Sequence, residues 1–109
     1  MDDDSRQKTW EAERRNMHRL PLTTAAEVID LDSQARFSVR TTDVGTGGCF
    51  LDAVFPLPVG SSVRVILHQG LKDFHADGKV VYSQPGIGMG VAFDELDSEQ
   101  RLSLLGFME

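Results

Sequence analysis

The stretch "SSVRVILHQGLKDFHADGKVVYS" at residues 61–83 decides the fold class, because it is typical of two β-strands joined by a short turn. Val63, Val65 and Leu67 stand at every second position, and side chains at that spacing share one face of a strand. The second half, 74–83, repeats the pattern after a "GLKD" turn. Its predicted shared face holds five residues: Phe74, Ala76, Gly78, Val80 and Tyr82.

The same alternation extends in both directions from this hairpin. Further strands are predicted at 23–31, 35–44, 49–55 and 89–95, separated by the turn-forming segments "DSQ", "GTGG", "PLPVG" and "QPGIG". In the 35–44 segment Phe37, Val39 and Thr41 share a face. Five or six short strands at roughly ten-residue spacing predict an antiparallel barrel or sandwich. The pattern shows no alternation of strands with helices, which excludes a doubly wound fold.

The C-terminal segment "DSEQRLSLLGFME" (97–109) has a different, helical pattern. Asp97 followed three residues later by Gln100 is typical of a capping box at a helix start. Leu102, Leu105 and Met108 then fall at helical spacing. We therefore expect these three side chains to face the β-structure. The side chains expected to face water are Glu99, Gln100 and Ser103.

Composition and charge limit the class of protein. The 109 residues fit one domain and carry a formal charge of -6. Residues 1–20 hold five Lys/Arg and five Asp/Glu, whereas 21–109 hold six and twelve. Such an acidic body repels polyanions, which argues against a general nucleic-acid binder.

The single cysteine, Cys49, precludes an intramolecular disulfide, and the sequence lacks a signal peptide or membrane-length apolar run. We expect a cytoplasmic domain that does not insert into a membrane.

A basic cluster, "ERRNMHRL" (13–20), stands out in this acidic chain. Arg15 and Arg19 are spaced R-x-x-x-R, and residues four apart on a helical turn lie on one face, about 5–6 Å apart at Cβ. Two guanidinium groups at that distance suit phosphate oxygens or the Hoogsteen edge of guanine. The plain alternative is a solvated basic patch, or arginines paired with Glu11 and Glu13.

The glycine-rich segment "TDVGTGG" (42–48) is the second candidate. Glycines tolerate positive φ and let a ligand approach the backbone closely. Nearby peptide N–H groups could face an anion, and Asp43 could accept a hydrogen bond from a base. The plain alternative is a β-turn with Asp at its first position.

Taken together, the two segments resemble the motifs of the PilZ domain, a bacterial receptor module for cyclic di-GMP. The pattern R-x-x-x-R followed by D/N-x-S-x-x-G is matched by 15–19 and, except at Gly45, by 43–48. Downstream, "GGCFLDAVFPLPVGSSVRVIL" resembles the family's third and fourth strands, and "GKVVYSQPGIGMGVAF" its last hairpin. "DELDSEQRLSLLGFM" resembles its closing helix. The resemblance covers roughly residues 13–108.

The resemblance implies an all-β fold with a C-terminal helix, a six-stranded antiparallel barrel of the split-barrel type. Residues 21–109 would form the barrel and helix, and residues 1–20 a flexible segment carrying the arginines. It implies a non-enzymatic receptor without metal or cofactor, which signals to an unidentified protein partner in motility or biofilm control. The implied cyclic di-GMP-binding residues are Arg14, Arg15, Arg19, Asp43, Gly45 and Gly48.

By this likeness Arg15 and Arg19 clamp phosphates and guanine edges, and Arg14 adds a further cation. Asp43 accepts from a guanine, and Gly48 keeps the turn open for the ligand. Gly45 departs from the pattern, because the family has serine at that position. A hydrogen bond contributes about 0.5–1.5 kcal/mol net, or about 1.5–3 to a charged group, so its loss weakens binding from a few-fold to about a hundredfold. A protein-interaction adaptor that has lost nucleotide binding is therefore the competing reading.

Overall fold

A computed structural model describes residues 19–108, with only the backbone described for Arg19. Arg14, Arg15 and the rest of 1–18 lie outside the described residues. The described chain contains strands β1 (Arg19–Pro21), β2 (Ala25–Asp30), β3 (Arg36–Gly45), β4 (Gly48–Asp52), β5 (Ser62–Gln69), β6 (Lys72–Gln84) and β7 (Gly88–Phe93), and helix α1 (Ser98–Phe107).

Six of the strands close into an antiparallel barrel in the order β3-β2-β5-β6-β7-β4, with β4 pairing back onto β3. This confirms the predicted barrel with its C-terminal helix. The seventh strand, β1, pairs with the end of β3 beyond the reach of β2. Because β4 also pairs with that end, the end of β3 lies between β1 and β4.

The barrel interior is filled by the alternating apolar positions of the strands. Val63, Val65 and Leu67 of β5 are fully buried, as the period of two predicted. Other strands contribute the buried side chains of Val28, Val44, Cys49, Leu51, Phe74, Ala76, Val80, Met89 and Val91. Burial of this apolar set from all six strands provides the main stabilisation of the closed sheet.

The predicted shared face of β6 is correct up to Val80 and wrong for Tyr82. The pairing with β7 shifts register there, since Val80 lies opposite Val91 and Tyr82 lies opposite Gly90. Val81 is therefore the extra residue of a β-bulge, and a bulge moves the following side chain to the other face. Tyr82 accordingly lies outside the barrel, where its ring centroid is 5.9 Å from that of Phe50.

Helix α1 starts as predicted but buries a different face. Asp97 accepts from the Gln100 amide and the Gln100 side chain accepts from the Asp97 amide, which confirms the capping box. Leu102 and Leu105, expected to face the barrel, are 71% and 44% exposed. The buried side chains are Leu104, Phe107 and Met108. Of the three residues assigned to the apolar face, only Met108 was placed correctly.

A side-chain hydrogen bond at the first turn of α1 agrees with the face that the helix buries. Gln100, expected to face water, donates from Nε2 to the carbonyl oxygen of His75 on β6 at 3.2 Å. With that side chain turned toward the sheet, positions 104, 107 and 108 follow on the same face, because i, i+4 and i+7 align. Within residues 19–108, no helix is long and apolar enough to cross a membrane.

Candidate functional site

The strand pairing of β1 with β3 brings the two sequence motifs together. The backbone of Arg19, the last residue of R-x-x-x-R, lies directly opposite Gly45, and Pro21 lies opposite Asp43. Residues 22 to 26 positions apart in the chain thus become direct neighbours across two strands. The arginine segment therefore enters the barrel beside the glycine-rich bend. The positions of Arg14 and Arg15 fall outside the described residues.

Asp43 lies on the outer surface of the barrel, although it is only 8% exposed. Its neighbour Val44 is fully buried in the core, and successive side chains of a strand alternate between faces. The register with β4 shifts between Thr41 and Asp43, so Thr42 is the extra residue of a bulge. That bulge sets which residue of this stretch faces outward, and it places Asp43 opposite Phe50.

Cys49 lies on the inner side of the sheet, close behind Asp43. It pairs with Val44 and is fully buried. Burial, and secondarily the negative charge of Asp43, raises the pKa of the Cys49 thiol far above its usual range. The thiol therefore stays protonated, and a nucleophilic role for Cys49 has no support in its surroundings.

Gly48 is needed for close packing between two strands. A Cβ atom at this position would stand 2.0 Å from the carbonyl oxygen of Val91 on β7. The described glycines with positive φ are Gly60, Gly70, Gly86 and Gly88, all outside the 45–48 bend. The requirement for glycine at 48 thus comes from the barrel itself, and its contact with a ligand stays a prediction.

Gly48→Ala is expected to lower the free energy of unfolding by about 1–3 kcal/mol, because the added methyl group must displace backbone atoms of β7. Gly106→Ala is the matched control. A Cβ there meets no atom within 4 Å, and alanine in a helix is favoured over glycine by about 0.8–1 kcal/mol. Urea denaturation of both variants measures the difference. Equal stability of the two would contradict the packing role of Gly48.

An aromatic pair beside Asp43 was missed by the sequence analysis. Phe50, opposite Asp43, is also opposite Gly90 of β7, and Gly90 is in turn opposite Tyr82. The two rings therefore pack across a glycine that has no side chain to separate them. The signal in the sequence was a glycine, Gly90, between the apolar residues Met89 and Val91. That signal is too weak to identify an aromatic neighbour.

A surface cleft of about 490 Å³ lies elsewhere, between β5, β6 and the start of α1. Its charged lining residues are Arg64, Asp77, Asp94 and Glu95, and Arg64 is bound to Asp77 at 2.7 Å. The hydrogen bond and charge of Asp77 raise the pKa of Arg64 further. Among residues 19–108, no residue of the two motifs lines this cleft, and its excess of carboxylates repels phosphate groups. The β1–β3 join is therefore the better candidate for an anionic ligand.

A closed antiparallel barrel with a C-terminal helix, and with Arg19 paired to the glycine-rich bend, defines a small β-barrel module with one candidate ligand site. The chain matches the PilZ domain family model over residues 13–109 and belongs to the PilZ domain family. PilZ domains are a family of cyclic di-GMP receptors, and they act as ligand-binding or adaptor modules rather than enzymes. No curated protein sequence matches the chain.

Solved structures share this fold. One is the PilZ domain of CeSA from a cellulose-synthesizing bacterium, with a TM-score of 0.68 and 19% identity over 84% of this chain and 94% of that one. Another is the inhibitor of motility MotI/DgrA of Bacillus subtilis, with a TM-score of 0.65 and 13% identity. That match covers 87% of this chain but 49% of the other. At these identities the likeness concerns the fold alone.

Proposed function

We propose that this protein is a bacterial, cytoplasmic receptor for cyclic di-GMP that passes the signal to a protein partner. The observation that carries the proposal is the register of β1 on β3, with Arg19 opposite Gly45 and Pro21 opposite Asp43. A ligand with phosphates and guanines side by side needs cations and a hydrogen-bond acceptor within one ligand's width, and the register of Arg19 close to Asp43 supports such a site here. Arg14, Arg15, Arg19, Asp43, Gly45 and Gly48 are the proposed contacts.

The charge distribution favours a small anion over a nucleic acid. Residues 21–109 carry twice as many Asp/Glu as Lys/Arg, whereas three arginines cluster at 14–19. A dinucleotide can be held by that local cluster, but a long polyanion would also have to approach the acidic barrel. We assign the signalling output of the receptor to binding of another protein, in motility or biofilm control.

Ligand binding is proposed to change the N-terminal segment, residues 1–20. Asp43 faces outward yet is only 8% exposed, and movement of neighbouring atoms would widen the access of a guanine to its carboxylate. That movement would alter the surface offered to a partner. Amide hydrogen exchange of residues 5–20 should differ between the free and saturated protein, and identical protection in both states would contradict the change.

The second candidate is a protein-interaction adaptor that has lost nucleotide binding. Gly45, directly opposite Arg19, is the observation in its favour, because the family's serine hydroxyl is missing at the join of the two motifs. The two candidates differ in one measurable quantity, the affinity for cyclic di-GMP.

Isothermal titration of the wild-type chain and Gly45→Ser with cyclic di-GMP decides between them. The receptor proposal expects heat from both, with the serine variant binding from a few-fold to about a hundredfold more tightly through the restored hydroxyl. Heat from Gly45→Ser alone would favour the adaptor that lost binding through this residue. Absence of heat from both at tens of micromolar ligand, with unfolding transitions unchanged, would contradict the receptor proposal.

A further inference from the structure

Thr41 is a buried polar residue that the proposed ligand contacts leave unexplained. It lies on β3 two residues before Asp43 and is fully inaccessible to solvent. A hydroxyl group is costly to bury unless it is hydrogen-bonded, and each bond that it makes must hold specific groups in place. Its hydroxyl bonds to Leu22 and Thr24, which belong to the three-residue segment 22–24 that connects β1 to β2.

At this segment the regular pairing of the chain with β3 is interrupted. Both β1 and β2 lie along the same edge of β3, β2 beside residues 36–40 and β1 beside residues 43–45. Between them the ladder is irregular. The Leu22 amide donates to the Thr42 carbonyl at 3.2 Å, and the Thr41 amide donates to the Thr24 carbonyl at 2.9 Å.

The Thr41 hydroxyl satisfies two further backbone groups of this segment. It accepts from the Thr24 amide at 2.9 Å and donates to the Leu22 carbonyl at 2.5 Å. The Thr24 hydroxyl in turn donates to the His68 carbonyl on β5. The Thr41 side chain thus holds the connection between β1 and β2 on β3, and the Thr24 side chain holds it on β5.

We propose that Thr41 is a positioning residue for the ligand site, because its hydroxyl fixes β1 on β3 and so holds Arg19 in register with Gly45. Strand β1 spans three residues, and among the described strands it pairs only with β3. A strand that short has little pairing of its own to resist slippage, so the connection that follows it sets its register. The ligand part of this inference rests on the proposed function, whereas the placement of β1 does not.

The test compares Thr41→Val with Thr41→Ser and Thr23→Val. Valine keeps the shape of threonine but leaves the Thr24 amide and the Leu22 carbonyl without their buried partner, whereas serine keeps the hydroxyl. Thr23 is exposed, lies in the same connection and makes no side-chain hydrogen bond within the described residues, so its valine variant controls for loss of a hydroxyl. If Thr41→Val does not fold, Thr41→Cys replaces it, because a thiol is only a weak donor and acceptor.

Amide hydrogen exchange of Leu20 and Leu22 in the free protein is the first readout. Thr41→Val is expected to accelerate both amides about tenfold or more relative to the core amides of β5, with Thr41→Ser and Thr23→Val close to wild type. Unchanged exchange in Thr41→Val would overturn the proposal. Equal acceleration of the β5 amides would also overturn it, since the hydroxyl would then stabilise the whole barrel and not β1.

Titration with cyclic di-GMP is the second readout. Thr41→Val is expected to weaken binding about tenfold, and Thr41→Ser to restore it. Faster exchange of the β1 amides together with an unaltered affinity for cyclic di-GMP would overturn the link from β1 to the ligand. If wild type itself gives no heat, the proposed function fails and the link to a ligand fails with it, whereas the exchange result still decides whether Thr41 holds β1.

Discussion

Simultaneous replacement of Arg15 and Arg19 by alanine is expected to abolish cyclic di-GMP binding in a titration. Each guanidinium group is proposed to donate charge-assisted hydrogen bonds to the ligand, and one such bond contributes about 1.5–3 kcal/mol. Loss of both therefore corresponds to about 3–6 kcal/mol, which is at least a hundredfold in affinity. Of the remaining proposed contacts, only Arg14 carries a positive charge, and one cation cannot replace the two that are removed.

The matched control is Arg36→Ala combined with Arg64→Ala, which removes the same two charges from the barrel. Arg36 pairs with Glu27 at 3.4 Å and Arg64 with Asp77 at 2.7 Å, both on the exposed surface. Exposed pairs of this kind contribute little to stability. Similar loss of binding in both double variants would indicate a general charge effect, and retained binding in the Arg15/Arg19 variant would remove the arginine clamp from the proposal.

Leu104→Ala is expected to produce the largest loss of stability among the substitutions considered, about 2–5 kcal/mol in the free energy of unfolding. Leu104 is fully buried and belongs to the same apolar cluster as Phe74 and Phe107. Its truncation leaves a cavity between α1 and the barrel that neighbouring side chains can fill only in part. Urea denaturation followed by circular dichroism measures the change in midpoint and slope.

Leu102→Ala is the control for this prediction, because it removes the same atoms from the same helix. Leu102 is 71% exposed, and a surface substitution usually changes stability by less than about 0.5 kcal/mol. Helical spacing predicted Leu102 on the buried face, so the pair of variants tests the observed orientation of α1 directly. A larger effect at Leu102 than at Leu104 would contradict that orientation.

Much of the fold could be predicted because strand periodicity is local. The alternation of Val63, Val65 and Leu67 requires only that one face of a strand be buried, and the structure buries all three. The capping box of α1 was predictable for the same reason, since Asp97 and Gln100 satisfy each other's backbone within one turn. Closure of the barrel followed from the family resemblance, because no local pattern states which strands pair.

The failures occur where a neighbouring element changes a local pattern. Tyr82 was assigned to the inner face because alternation continues through a regular strand, but the bulge at Val81 reverses it. The helix face was misassigned because leucines at 102, 104 and 105 allow more than one apolar stripe, and the contact of Gln100 with β6 selects among them. Thr41 was placed on the correct strand face. Its bonds to Leu22 and Thr24 were not predictable, because they depend on the irregular pairing between β1 and β2 along β3, which no sequence pattern indicates.

For the candidate site, the sequence alone supplied the chemistry: a cluster of arginines, a carboxylate and a glycine-rich bend without the family's serine. These are properties of residue type and spacing, and folding does not alter them. The tertiary structure alone decided that Arg19 lies opposite Gly45, that Asp43 is nearly inaccessible, and that Gly48 is required by Val91. Those facts arise from pairing between distant segments, where register, bulges and close backbone approach are set by the whole closed sheet.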